Sequence, residues 1–165
     1  MSIDHLLKTN NNALLSVYDK TGIADFAKGL HELGWNIISS GGTAKVVAEA
    51  GVPVTDVADL VGGEAILGHR VVTLSREIHS GLLADATKPE DLQELKDRGI
   101  PFIDLVAVDM YPLEEEIASG NATLSSVIEK TDIGGPTMLR AGAKARRIVL
   151  SRPEQRSEVL QWLTD

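Results

Sequence analysis

The chain has 165 residues, of which 43% are apolar, enough for one domain with a proper core and too many for a disordered segment. A formal net charge of −8 argues against general nucleic-acid binding, which needs a basic surface, but leaves room for a small anionic ligand met by local amides and a few cations. Without cysteine there is no disulfide framework and no thiolate metal site, and two each of Phe, Trp and Tyr are few for stacking nucleobases.

Met1 to Lys8 is neither a basic leader nor a long apolar run, and no stretch approaches the ~18 continuous apolar residues of a membrane helix. A cytoplasmic chain, off the membrane, is expected. Asn10-Asn11-Asn12 reads as a lead-in to the first strand, Ala13 to Val17, a buried apolar run. Ile23 to Leu33 has apolar residues at helical spacing and Gly34 as a stop. A second strand, Asn36 to Ser39, a helix from Ala44 to Ala50 and a third strand, Val52 to Val57, follow. Asp59 to Gly68 reads as irregular, and Val71 to Leu74 as a short apolar element.

Pro89 to Arg98 predicts a surface helix with proline at its start. Phe102 to Met110 is the strongest strand. Short helices are expected at Leu113 to Ser119 and Leu124 to Lys130, and another from Gly135-Pro136 to about Lys144. Ile148 to Leu150 predicts a last strand and Pro153 to Leu163 a last helix. Strands separated by helix-length segments imply crossovers, hence an α/β fold with a mainly parallel sheet. In such sheets ligands bind outside the carboxyl ends of the strands, which directs attention to the strand-to-helix turns.

Ser39-Ser40-Gly41-Gly42-Thr43 is the best of those turns. Glycines admit close backbone approach, and a helix N-terminus with hydroxyls offers donors to phosphate; the other reading is a plain capped turn. Ser16 to Gly22 follows the first strand, and its Lys20 and Thr21 either meet the same anion or make a capped helix start with a solvated lysine. Thr131 to Thr137 sets Asp132 at a helix N-terminus, as a general base, a ligand-orienting acceptor or a cap. Arg140 and Lys144 share one face of that helix, which is otherwise a solvated surface. Tyr111 ends the strongest strand, at the ligand-facing end or as an interfacial tyrosine. No His-Glu-x-x-His metal pattern and no Gly-x-Ser-x-Gly elbow occurs.

Together these segments resemble the inosinate cyclohydrolase domain of the bifunctional purine-biosynthesis enzyme. The matching stretches are Ser16 to Gly22, Ser39 to Ala44, Gly51 to Thr55, Arg70 to Leu74, Tyr111-Pro112 and Asp132 to Lys144, in the family's order over about residues 12 to 150. The resemblance implies a methylglyoxal-synthase-like, Rossmann-like three-layer fold, a single domain over residues 1–165 without the transformylase portion, a homodimer and no cofactor or metal. It implies closure of formylaminoimidazole-carboxamide ribotide to inosine monophosphate. Asp132 and Lys144 would serve the carboxamide and Tyr111 the formyl oxygen. Ser16, Lys20, Thr21, Ser39, Ser40, Gly41, Gly42 and Thr43 would hold the 5′-phosphate. Arg70, Thr73, Asp109, Ile133 and Gly134 would line the ligand site.

The chain departs from the family pattern at several of these positions. Val72 stands where a catalytic lysine is expected, Ser75-Arg76 replaces His-Pro, and Ala145-Arg146 replaces Asn-His after Lys144. Asp109 replaces an asparagine and Tyr18 a serine. A valine neither donates a proton nor carries charge. A non-catalytic module that binds a purine ribotide is therefore the rival reading, and methylglyoxal synthase, which shares the fold, is a more distant one.

Overall fold

The apolar run expected as the first strand becomes the middle of a sheet. The computed structural model describes residues 3–8 and 11–165; Met1, Ser2 and Asn10 of the segments read above lie outside them. The elements are α1 (Asp4–Lys8), β1 (Asn12–Val17), α2 (Ile23–Glu32), β2 (Asn36–Ser39), α3 (Gly41–Glu49), β3 (Val54–Asp56), α4 (Val57–Val61), α5 (Arg76–Leu83), α6 (Pro89–Asp97), β4 (Leu105–Asp109), α7 (Leu113–Ala118), α8 (Leu124–Glu129), α9 (Gly134–Lys144), β5 (Ile148–Leu150) and α10 (Gln155–Thr164). All five strands are parallel, in the order β3-β2-β1-β4-β5.

Both faces of the sheet are covered, as a parallel sheet requires. Alternate residues of β1 point to opposite layers. Ala13, Leu15 and Val17 pack with Phe26 and Leu30 of α2, Val47 of α3 and Leu160 of α10. Leu14 joins Ile38, Val106 and Val108 against Ile78 and Leu82 of α5 and Met138 of α9. Asn12, fully buried, knits the amino ends of the strands. Its side-chain amide donates to the carbonyls of Leu6 (3.0 Å) and Phe102 (2.8 Å), and its Oδ1 accepts from Asn36 (2.9 Å). Among the described residues no helix is long and apolar enough to cross a membrane.

Several element boundaries differ from the sequence expectation. The strands expected over Val52 to Val57 and Phe102 to Met110 are confined to Val54–Asp56 and Leu105–Asp109, where a neighbouring strand is present to pair. The helix expected from Ala44 begins at Gly41, so the glycine pair forms its first turn. Asp59 to Gly68 is not wholly irregular, because the Asp56 side chain accepts from the Ala58 N–H at 2.9 Å and starts α4. The helix α5 was not anticipated; Ser75 caps it, accepting from the Ile78 N–H at 3.1 Å.

Candidate functional site

The strand order reverses direction between β1 and β4: β1 leads outward to β2 and β3, β4 to β5. The loops after β1 and β4 therefore diverge, and such a switch point opens a crevice at the carboxyl ends of the strands. A cavity of about 370 Å³ lies there. Its walls are the turn after β1, the first turn of α3, the loop before α5, the end of β4 and the first turn of α9. Among the described residues no group of three or more His, Asp or Glu side chains is placed to hold a metal ion.

One end of the cavity brings a lysine against the first turn of a helix. Gly41 has φ +55°, a left-handed conformation that a side chain would strain, and turns the chain from β2 into α3. Ser40 makes no capping bond from its side chain, so it does not cover the N–H groups of that turn, and Ser40, Gly41 and Gly42 all line the cavity. Lys20 lies across this turn so closely that a Cβ on Gly42 would sit 3.4 Å from its Cε. Its ammonium donates to the carbonyls of Val17 and Tyr18, the latter at 3.1 Å, which fixes the charge at the end of β1. Ser16 also lines this end.

Three residues expected to grip the phosphate are placed differently. Ser39 is fully buried and its hydroxyl donates to the Leu15 carbonyl at 2.6 Å, so it binds the sheet. Thr43 borders the cavity, but its Oγ1 accepts from the Val17 N–H (3.2 Å) and donates to the Val17 carbonyl (3.1 Å). Those two bonds complete the backbone of β1 and tie α3 to it. Thr21 is not among the cavity walls; its N–H donates to Asp19 at 2.9 Å, a bond that holds the Asp19 carboxyl below the usual carboxylate range.

Asp109 borders the cavity, as expected, and its carboxylate is paired there. Its Oδ1 forms an ion pair with Arg156 of α10 at 2.9 Å, and its Oδ2 accepts from the Asp19 N–H at 2.8 Å. The two side chains are only 13% and 7% exposed. Arg156 also donates to the carbonyls of Thr21 (2.6 Å) and Asp19 (3.4 Å). The pair is thus a clamp on the loop that carries Lys20. Sequence reasoning missed Arg156, because its partner lies 47 residues away.

At the other end, Asp132 accepts from the Gly135 N–H through Oδ1 at 3.0 Å and so caps the start of α9. Its Oδ2 lies over Gly135, where any Cβ would collide with it. Tyr111, Arg70, Thr73, Ile133 and Gly134 line the same cavity, and a Cβ on Gly134 would stand 3.0 Å from the Thr73 hydroxyl. Arg70 is exposed and its Nε donates to the Leu67 carbonyl at 2.6 Å. Val72 presents an apolar surface to the cavity. Lys144 is not brought to the site: it is exposed at the far end of α9, roughly 15 Å along the helix from Gly134.

Tyr18 also lines this end, and Lys130, which is not among the cavity walls, reaches it through Tyr18. Tyr18 and Tyr111 meet edge to face, their centroids 5.3 Å apart and their planes at 71°. Lys130, just after α8, donates to the Tyr18 hydroxyl at 3.1 Å and lies 4.8 Å from the Tyr18 ring centre and 5.8 Å from that of Tyr111. The bond to Tyr18 pushes the Lys130 ammonium above the ordinary lysine range. No local pattern marks Lys130, since its partner is 112 residues away.

A family model described as the MGS-like domain matches residues 22–137. Among solved structures, the one titled "Crystal structure of ForH" is similar, at 37% sequence identity and a TM-score of 0.76. That match covers 94% of this chain and 80% of the other.

Proposed function

The chain belongs to the MGS-like domain family, and on that premise we propose that it binds a phosphorylated purine-precursor ribotide and closes its second ring, as an inosinate cyclohydrolase does. The observation that carries this reading is the two-ended cavity: a cation and open amides at Lys20 and Ser40 to Gly42, and the carboxylate of Asp132 at the other end. Each strand step across the sheet is roughly 5 Å, so β2 and β4 are roughly 10 Å apart, a span that suits a ribose between phosphate and ring.

In the proposed reaction the carboxamide nitrogen attacks the formyl carbon. The new C–N bond forms as the formyl oxygen takes a proton, giving a carbinolamine; its hydroxyl then leaves as water together with the proton of the former formamide nitrogen, and the ring C=N bond forms. Asp132 Oδ2 removes the proton from nitrogen, and the Tyr111 hydroxyl donates to the formyl oxygen. Holding both groups in register supplies much of the acceleration in such an intramolecular closure. Neither Lys144 nor residue 72 contributes a charge in this scheme. The homodimer belongs to the same proposal; Leu124 and Ile128 of α8 and Ile117 of α7 leave apolar surface for a second copy, which sedimentation velocity would test.

Incubation of the protein with the formylated ribotide, followed by the absorbance of inosinate, tests the activity. No turnover by a folded protein refutes it. The apolar Val72 in the cavity wall favours a second reading, binding without turnover. Calorimetry that finds tight inosinate binding in a protein without activity selects that reading, and a large gain in rate on Val72→Lys would mark a decayed enzyme.

A further inference from the structure

The corner made by Tyr18, Tyr111 and Lys130 has a use beyond the anion cradle. Tyr18 and Tyr111 are each more than two-fifths exposed, and both line the cavity. Their rings meet edge to face, so neither lies flat on the other. A flat ring entering this corner stacks on one tyrosine and meets the edge of the other, the two arrangements aromatic quadrupoles favour.

Lys130 adds direction. Its ammonium has three N–H donors and gives one to the Tyr18 oxygen. Tyr18 accepts that bond, so its own O–H proton is still available to donate. The Tyr18 hydroxyl and the Lys130 ammonium therefore offer donors at one corner, where the Glu116 carboxylate also acts on the ammonium. The two tyrosine rings also hold the ammonium by cation–π attraction. Its raised pKa keeps it charged through the neutral range.

We propose that Tyr18 and Lys130 determine specificity for the ring end of the ligand, selecting a planar heteroaromatic ring that carries an exocyclic oxygen. The inference rests on the ribotide reading above and deepens it: the cradle at Ser40 to Gly42 recognises the phosphate, and the Tyr18–Lys130 corner recognises the oxygen on the ring.

Calorimetry with two probes tests the two ends separately. Inosine monophosphate carries phosphate and an oxygenated ring; ribose 5-phosphate carries the phosphate alone. The intact chain is expected to bind the nucleotide more tightly. Lys130→Met and Tyr18→Phe are each expected to weaken nucleotide binding roughly tenfold and to leave ribose 5-phosphate within about twofold, because each removes a donor at the ring end only. Lys130→Arg should restore part of the loss. Tyr18 is exposed and Lys130 half-buried, and an unchanged thermal midpoint confirms that the variants fold. Equal weakening of both probes, or of neither, overturns this assignment while the ribotide reading stands. A wild-type chain that binds neither probe overturns both.

Discussion

Replacing Arg156 with methionine tests how the site is held. The change removes one partner of an ion pair whose members are 7% and 13% exposed, and leaves the Asp109 carboxylate with the Asp19 N–H. Breaking a buried pair from one side costs about 3–5 kcal/mol, because the surviving charge is left uncompensated. The carbonyls of Asp19 and Thr21 also lose a donor, but both residues are exposed and water replaces it at little cost. For a domain of this size the loss corresponds to roughly 6–20 °C in the thermal midpoint. The loop released is the one that places Lys20, so affinity for inosinate should fall with stability. Urea denaturation and calorimetry on the same preparation measure the two effects. Asp109→Asn added to Arg156→Met should recover much of the stability, since no buried charge then remains. An Arg156→Met protein within about 2 °C of the wild type, with unchanged affinity, would refute the clamp.

Asp132→Asn keeps an oxygen for the Gly135 N–H but loses the base, so turnover should fall ~10²–10⁴-fold with inosinate affinity nearly unchanged in steady-state and calorimetric assays. Lys20→Met should weaken ribose 5-phosphate binding and flatten its salt dependence, read by calorimetry at two ionic strengths. Asp104, held at the amino end of β4, has its pKa pushed up to about 6 by burial, against the pull of the Asn12 N–H and Arg147. The folded chain then binds a proton more tightly than the unfolded one, so stability should rise as pH falls from about 6 toward 4. Asp104→Asn should flatten that profile in urea melts and stabilise the chain at pH 7 by about 1–2 kcal/mol, a figure already reduced for partial solvent screening.

The central strands were legible because a strand buried on both faces is a continuous apolar run, and Leu14, Leu15, Ile37 and Ile38 are such residues. The start of α3 was not, since Gly41-Gly42 has poor helix propensity and reads as a turn; the tie from Thr43 to β1 fixes it. At α5 a signal was present, with Ser75 as the cap and Ile78 and Leu82 one turn apart, but Gly81 obscured it. That glycine packs against the Pro101 carbonyl, where a Cβ would come within 2.5 Å. In the site, the turns were readable because each is contiguous. Arg156 and Lys130 were not, because their roles arise only when α10 and α8 are brought against the ends of β1 and β4. Lys144 illustrates the opposite error: proximity in a motif was taken as proximity in space, although an eleven-residue helix separates its ends.

The buried hydroxyls of Ser39 and Thr43 touch the sheet, and under the proposed function this alters where the free energy of ligand capture originates. A mobile glycine turn would have to be ordered by its ligand, at roughly 1–2 kcal/mol of backbone entropy per residue. For Ser40 to Thr43 that ordering, roughly 4–8 kcal/mol, is completed when the chain folds. Affinity and fold stability are therefore thermodynamically coupled through the end of β1. A substitution that loosens this edge lowers occupancy of the cradle without removing a single contact to the ligand.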